Sequence, residues 1–337
     1  MEFVAIGDLH FDNRLSQYEP LKDINSIVAG ELRKVLQYAR NNGIKYVFLL
    51  GDIADKPVLS DDASIKFIDI LHEYSDLRII MITGNHDRED RNNHSLNVIK
   101  RLCKLGMFPH VRVIDEPTIM FVKNRTPINF LPWPHFAVRP DCLNVIHIEF
   151  NKAQWESGQL IENERDTECS LLGGHLHTHH IVRENQVLPG TLYQVNFGEK
   201  AKKFWLHGSW DGLKFEYELI PNKPAFELRT VVITSKDDLD SKVTRDPRVF
   251  YRAMIRNGAD IDADTLGHYS NIIKTNNFKN KSELQMILAE DLLMNDPDAE
   301  VNLMSVVEAL ETWMLRAGIE TGIQARALDM MKRLVPQ

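Results

Sequence analysis

Apolar and polar positions along the first hundred residues repeat a strand-then-helix pattern. Short apolar runs of strand length, Phe3–Gly7, Tyr46–Leu50 and Arg78–Thr83, are each followed by amphipathic stretches near Leu21–Asn41, Asp62–Tyr74 and Ser95–Lys104. Asn42-Gly43 supplies a stop for the first helix. Such βα alternation predicts a central sheet with helices on its faces. Open α/β sheets place their sites in loops at the carboxyl ends of strands. From Val111 to Ile220 the pattern turns to short strands with turns such as Trp210-Asp211-Gly212, which predicts a second, more antiparallel sheet. The fold class is therefore expected to be α/β, with two sheets forming a sandwich.

Pro221-Asn222-Lys223-Pro224 marks a boundary. Beyond it Phe226–Thr234 and Arg248–Arg256 read as strands, with helical turns at Ser235–Leu239 and Asp262–Tyr269. The tail reads as helices at Lys281–Met294, Val301–Ala317 and Ile323–Val335, separated by Asp296-Pro297 and by Gly318 with Gly322. Leu303, Val306, Val307, Leu310, Trp313 and Met314 form one apolar stripe on the middle helix. That stripe packs either within a small bundle or into a partner's groove. Three domains follow: 1–222, 225–278 and 281–337.

Composition narrows the class. With 337 residues, 43% of them hydrophobic, the chain can bury sizeable cores. No apolar run approaches the ~20 residues of a membrane span. The first strand-like run begins at Glu2, which leaves no room for a leader and points to the cytoplasm. Cys103, Cys142 and Cys169 show no metal spacing and are expected to be free thiols. The net charge of −8 argues against a broadly basic nucleic-acid surface.

Candidate chemistry lies in five islands: Asp8-x-His10, Gly51-Asp52, Gly84-Asn85-His86-Asp87, His147 and Gly174-His175-Leu176-His177. One such pair recurs by chance in many chains; five in order, each beside a strand-like run, form a metal-ligand set. Mixed imidazole and carboxylate donors suit Mn, Fe or Zn better than Mg or Ca. Two neighbouring cations need a shared anion, which Asp52 or Asp8 could provide. If the chain stays extended, residues i and i+2 of Asp8-Leu9-His10 and of His175-Leu176-His177 point to one side. Two ions ~3.5–4 Å apart could activate water and stabilise both the attacking and leaving oxygens of a phosphodiester.

This ordered set resembles the calcineurin-like metallophosphoesterase superfamily, and within it the SbcD-type nuclease subunits of double-strand-break repair complexes, including phage versions. The nuclease character is carried by Gly51-Asp52-Ile53-Ala54-Asp55-Lys56-Pro57, by Pro189-Gly190-Thr191-Leu192-Tyr193 and by Asn196-Phe197-Gly198-Glu199. Lys56 and Thr83 stand where the family's protein Ser/Thr phosphatases usually carry Arg. The motifs cover roughly residues 1–220. The resemblance implies a four-layer αββα sandwich, a capping domain at 225–278 that orients DNA, and C-terminal helices that grip an ATPase coiled coil.

It also implies two divalent cations, here expected to be Mn2+. One would be held by Asp8, His10, Asp52 and His177, the other by Asp52, Asn85, His147 and His175, with Asp52 bridging. His86 would assist the leaving oxygen, and Asp87 would orient His86 or close its loop. His147 lacks the Gly that often precedes this histidine, so a buried strand histidine is its alternative. Arg14, Lys200, Lys202 and Lys203, and less so Lys123 and Arg125, are candidates for phosphate contacts. Leu303, Val307, Leu310 and Met314 are candidates for gripping an SbcC-type ATPase. Duplex DNA ends and a second copy of the chain, through the apolar faces of the first two helices, complete the expected partners. Rival expectations are a phosphodiesterase or phosphatase on small or protein substrates, and a non-catalytic DNA-end scaffold.

Overall fold

The computed structural model describes residues 1–293 apart from 91–92, 123–125, 150–152, 154–160 and 162–164. The chain divides into two compact units, Met1–Lys281 and Ser282–Gln337. The first opens with β1 (Glu2–Ile6), α1 (Ile24–Asn41), β2 (Tyr46–Leu49), α2 (Asp61–Glu73), β3 (Arg78–Ile82), α3 (Asn97–Lys104) and β4 (Val111–Ile114). Next come β5 (Thr118–Val122), β6 (Thr126–Leu131), β7 (Leu143–His147), β8 (Leu171–Gly174), β9 (His180–Arg183) and β10 (Gln186–Leu188), then β11 (Lys203–Trp210) and β12 (Phe215–Asn222). One sheet has the order β12-β11-β1-β2-β3-β4 and the other β5-β6-β7-β8-β10-β9.

Strand periodicity separates the layers. In β1, Val4 and Ile6 pack with the helices while Phe3 and Ala5 face the second sheet; Val47/Leu49 and Phe48 divide likewise in β2, as do Ile79/Met81 and Ile80/Ile82 in β3. Both faces are covered, which is why these parallel strands read as continuous apolar runs. A third cluster, including Leu131, Ile146, Leu171 and Leu188, lies on the far side of the second sheet with Trp133, Phe136 and Val138 against it. Among the described residues that outer face is covered by irregular connections rather than by a helix. Helix starts are capped locally: Asp23 accepts from Ser26 N, and Ser60 from Ala63 N.

The small α+β region comprises β13 (Glu227–Ile233), α4 (Lys236–Lys242), β14 (Val249–Arg256), α5 (Ala263–Gly267) and β15 (Ile272–Phe278), with its three strands parallel. Phe226 and Leu228 join the core beneath α1. Buried Glu31 of α1 accepts from Asn222 Nδ2 (2.9 Å) and Ala225 N (2.8 Å), tying down the Pro221–Pro224 link. Of the second unit the described residues, 282–293, belong to α6 (Lys281–Leu293). The predicted helices Val301–Ala317 and Ile323–Val335, with Leu303, Val307, Leu310 and Met314, lie outside the described residues, as do Lys123 and Arg125. Among the described residues no helix is long and apolar enough to cross a membrane.

Three expectations need correction. β4 is the fourth parallel strand of the first sheet, and β11 and β12 extend that same sheet at β1. The second sheet is largely parallel through β6-β7-β8-β10, because long connections carry the chain back between strands. β15 was not expected: Lys274, Thr275, Asn276 and Asn277 make it look like a loop, and pairing with β14 supplies the ordering.

Phe48 lies at the centre of the inter-sheet core, its ring 4.7 Å from Phe3 and 5.5 Å from Phe130. Phe48→Ala should cost about 3–5 kcal/mol, much of a typical domain stability of roughly 5–15 kcal/mol. Urea unfolding followed by fluorescence should show a markedly lower midpoint; an unchanged midpoint would contradict this packing.

Candidate metal centre

Every island sits at the carboxyl end of a parallel strand. Asp8 and His10 follow β1, Asp52 follows β2, Asn85 and His86 follow β3, His147 ends β7 and His175 follows β8. β1, β2 and β3 are neighbours in one sheet and β7 and β8 in the other, so pairing brings five distant segments together. The chain is not extended there, contrary to the expected i, i+2 geometry. Asp8, His10, Asp52 and His175 have φ of 38°, 50°, 49° and 87°, four of the six non-glycine residues with positive φ among the described residues. These left-handed turns leave Leu9 and Leu176 buried in apolar clusters while their neighbours line the centre. Strained backbone of this kind collects at functional sites.

Close approach also demands glycine. A Cβ on Gly84 would stand 2.0 Å from Asp52 Oδ1, and one on Gly51 (φ +97°) 2.2 Å from His147 Nδ1.

Three ligand groups result among the described residues; one, His10 with Asp55 and His86, is joined by hydrogen bonding of the rings to Asp55, and the other two are built from the sequence islands alone. Donor atoms of Asp8, His10 and His177 lie within 4.8 Å of one another, as do those of Asp52, His147 and His175. Asn85 Oδ1 joins the second, 3.0 Å from both His147 Nε2 and His175 Nδ1. Asp52 Oδ2 lies between them, 3.3 Å from His147 Nε2 and 4.0 Å from His10 Nε2. His86 N donates to Asp52 Oδ1 (2.9 Å).

Three histidines of the two groups, His10, His177 and His147, have a hydrogen-bond acceptor at the other ring nitrogen. His10 Nδ1 donates to Asp55 Oδ1 (3.0 Å), His177 Nδ1 to Glu199 Oε1 (2.9 Å) and His147 Nδ1 to the Leu50 carbonyl (2.6 Å). Glu149 Oε2 stands 3.5 Å from His175 Nε2. A ring that donates from Nδ1 presents its lone pair at Nε2, and such partners fix and strengthen metal-binding imidazoles. The Nε2 atoms of His10 and His177 face each other at 3.0 Å, an arrangement that needs a shared proton or a cation. Asp8 Oδ1 accepts from His175 N (2.9 Å), whereas its buried Oδ2 accepts no hydrogen bond. A buried carboxylate oxygen without a donor is costly unless a cation meets it. The donor set thus fits two divalent cations.

Electrostatics point the same way. Burial would raise the Asp52 carboxyl, but the charges of His147 and His86 hold it far below the usual carboxylate range. Burial raises Asp8, with Asp52 adding to the effect against His147. Burial opposes the His147 cation, yet Asp52 carries it up to about 9. Burial, and then the charge of His147, pushes His175 down to about 3.

One candidate role narrows and another changes. Asp87 is buried and accepts from Gly84 N (2.9 Å), Ala54 N (3.0 Å) and Ser95 Oγ (2.8 Å). Of the two roles expected of it, orienting His86 or closing the loop, these bonds favour the second, since they tie the loops after β2 and β3 together. Lys203 is buried, with its ammonium on Glu199, on Thr191 Oγ1 (2.7 Å) and on the His177 carbonyl (3.3 Å), so it cannot be a surface contact for DNA. Arg14, Lys200 and Lys202 are exposed. Sequence reasoning misses the histidine partners Asp55, Glu199 and Glu149. Asp55 and Glu199 stand inside the quoted motifs, which was the available signal.

A two-sheet α/β sandwich with this donor set at its strand ends defines a metallophosphoesterase. The sequence model for calcineurin-like phosphoesterases matches residues 1–190. The chain belongs to that family. No curated protein matches it.

In the metal-free protein His147 should be protonated at pH 7.5, because its pKa is raised to about 9. The stability this cation contributes is complete below its ordinary value of 6.5 and is lost as pH rises through about 9. Cation binding at Nε2 must displace that proton. Titration calorimetry in buffers of different ionisation enthalpy should therefore show proton release at pH 7.5, one proton from His147 and a second from the proton shared by His10 and His177. No release would contradict this charge state.

Proposed function

We propose that this phosphoesterase is a DNA nuclease, hydrolysing phosphodiesters at duplex ends as the nuclease subunit of an ATP-regulated end-processing complex. The observation that carries the reading is the position of the island 189–199, the segment tied by resemblance to nucleases. It forms part of the metal centre's wall: Glu199 holds His177, and the Tyr193 hydroxyl donates to the carbonyls of Leu9 (2.9 Å) and His10 (3.2 Å). Lys56 and Thr83, where the Ser/Thr phosphatases have arginines, favour the same side.

Asp8, His10, Asp52 and His177 would hold one cation and Asp52, Asn85, His147 and His175 the other, with Mn2+ as the expected metal. Bound cations would supply a nucleophile at neutral pH and Lewis-acid stabilisation of the phosphate. Asp52, between the groups, would offset the mutual repulsion of the two cations. His86 is partly exposed and its Nδ1 donates to the Asp55 carbonyl (3.3 Å); as an imidazolium it would give its Nε2 proton to the leaving oxygen and remain as the neutral Nδ1–H ring. Asp87 holds the His86 loop against the loop after β2.

With a net charge of −8, the chain must rely on local cations, Arg14, Lys200 and Lys202, for phosphate contacts. Most of the grip on DNA then falls to an SbcC-type ATPase, bound through the C-terminal stripe of Leu303, Val307, Leu310 and Met314, and to a second copy of the chain. The 225–278 region would orient the duplex.

A time course on end-labelled linear duplex with Mn2+ should show cleavage by the wild type and none with EDTA or in Asp52→Asn. His86→Ser should keep two cations per chain by metal analysis yet lose roughly 10²–10⁴-fold in rate. Full activity of that variant would remove His86 from the reaction. Hydrolysis of bis(p-nitrophenyl) phosphate without cleavage of DNA, alone or with the ATPase, would overturn the nuclease reading in favour of a small-substrate phosphodiesterase.

A further inference from the structure

The reading of His177 as a metal ligand leaves one buried charge cluster unexplained, and the following rests on that reading. Glu199 and Lys203 form an ion pair whose side chains are 0% and 1% exposed. Such a pair is weak evidence for stability, since desolvation of both charges offsets their attraction. Its geometry instead converges on one imidazole. Glu199 Oε1 accepts from His177 Nδ1 (2.9 Å) and Asn196 Nδ2 (2.9 Å). Oε2 accepts from Lys203 Nζ and from Val195 N (3.3 Å). Thr191 Oγ1 receives Lys203 Nζ and donates to the Tyr193 carbonyl (2.6 Å). Behind them Gln194 Nε2 donates to the Glu199 carbonyl (2.9 Å) and to that of Leu228 (3.0 Å), so the backbone of Glu199 is pinned as well.

We infer that Glu199 is the positioning residue for His177, with Lys203 as its buried counter-ion, and that this pair sets the affinity of the cation position formed by Asp8, His10 and His177. The corresponding partner of His10, Asp55, is more exposed, at 14%, and also meets His86 through its carbonyl. Glu199 by contrast is sealed from water and carries a full complement of donors. Those donors leave its carboxylate one orientation, which fixes the His177 proton on Nδ1 and turns the Nε2 lone pair to the Nε2 face of His10. Lys203 supplies the charge that keeps the carboxylate an acceptor in a dry site, and its third contact, to the His177 carbonyl, fixes the backbone beneath the ring.

Two variants separate positioning from folding. Glu199→Gln keeps the shape and removes the charge. Glu199→Gln with Lys203→Met removes both charges, so that no unpaired ammonium remains to unfold the chain. Mn2+ is titrated calorimetrically into EDTA-stripped wild type and variants, with thermal unfolding as the control for folding. Long-range 15N–1H spectra of the metal-free proteins report the His177 tautomer. Expected for both variants is a loss of about 10–100-fold in affinity at one of two Mn2+ equivalents, the scale typical of outer partners of metal ligands. The other equivalent should be unchanged and the Nδ1–H tautomer of His177 mixed. A folded double variant with wild-type affinity at both positions and an unchanged tautomer overturns the inference. Wild-type protein that takes up no Mn2+ overturns the metal reading itself, and the inference with it.

Discussion

An imidazole binds a metal best when its other nitrogen is engaged, and this constraint organises the centre. Asp55, Glu199 and the Leu50 carbonyl each take an Nδ1 proton, and Glu149 stands beside His175. None of these acceptors is next in sequence to the ring it serves. Leu50 and His147 are 97 residues apart. The sandwich exists, in chemical terms, to make such long-range pairs permanent. Parallel pairing of β1 with β2 and β3, and of β7 with β8, fixes where each ring and each acceptor can stand.

Holding the centre has a cost. Four left-handed turns at Asp8, His10, Asp52 and His175 are each of a kind that costs on the order of 1–3 kcal/mol. Asp8 and Asp52, two buried carboxylates, add repulsion that a metal-free chain meets with protonated His147, with the raised pKa of Asp8 and with backbone donors from His175 and His86. The offset comes from the clusters on either side, where Phe3, Phe48 and Phe130 pack between the sheets and Leu9 and Leu176 anchor the turns. Loops tied by Asp87 and Glu199 are thereby kept from relaxing. Cations would relieve the repulsion, which links loading of the centre to stability of the fold.

Much of this was legible in the sequence because local pattern determines it. Continuous apolar runs mark strands buried on both faces, and the five islands lie where those runs end. Edge assignment was not legible: nothing local distinguishes Val111–Ile114 as the fourth strand of one sheet from the first strand of the next. Ile272–Phe278 is a strand because β14 offers an edge, not because its polar residues favour one. Lys203 looks like its exposed neighbours Lys200 and Lys202, and only the fold reveals that it is buried against Glu199. Asp87 follows His86 directly yet serves the backbone of other loops. Left-handed conformation at a histidine has no sequence signal at all.

The central claim is that two donor groups sharing Asp52 hold two cations. Anomalous diffraction from crystals of the full chain soaked in Mn2+ tests it most directly. Two peaks are predicted, one bounded by Asp8, His10 and His177 and the other by Asn85, His147 and His175, with Asp52 between them. A single peak, or peaks that leave His147 and His177 without a metal neighbour, would contradict it.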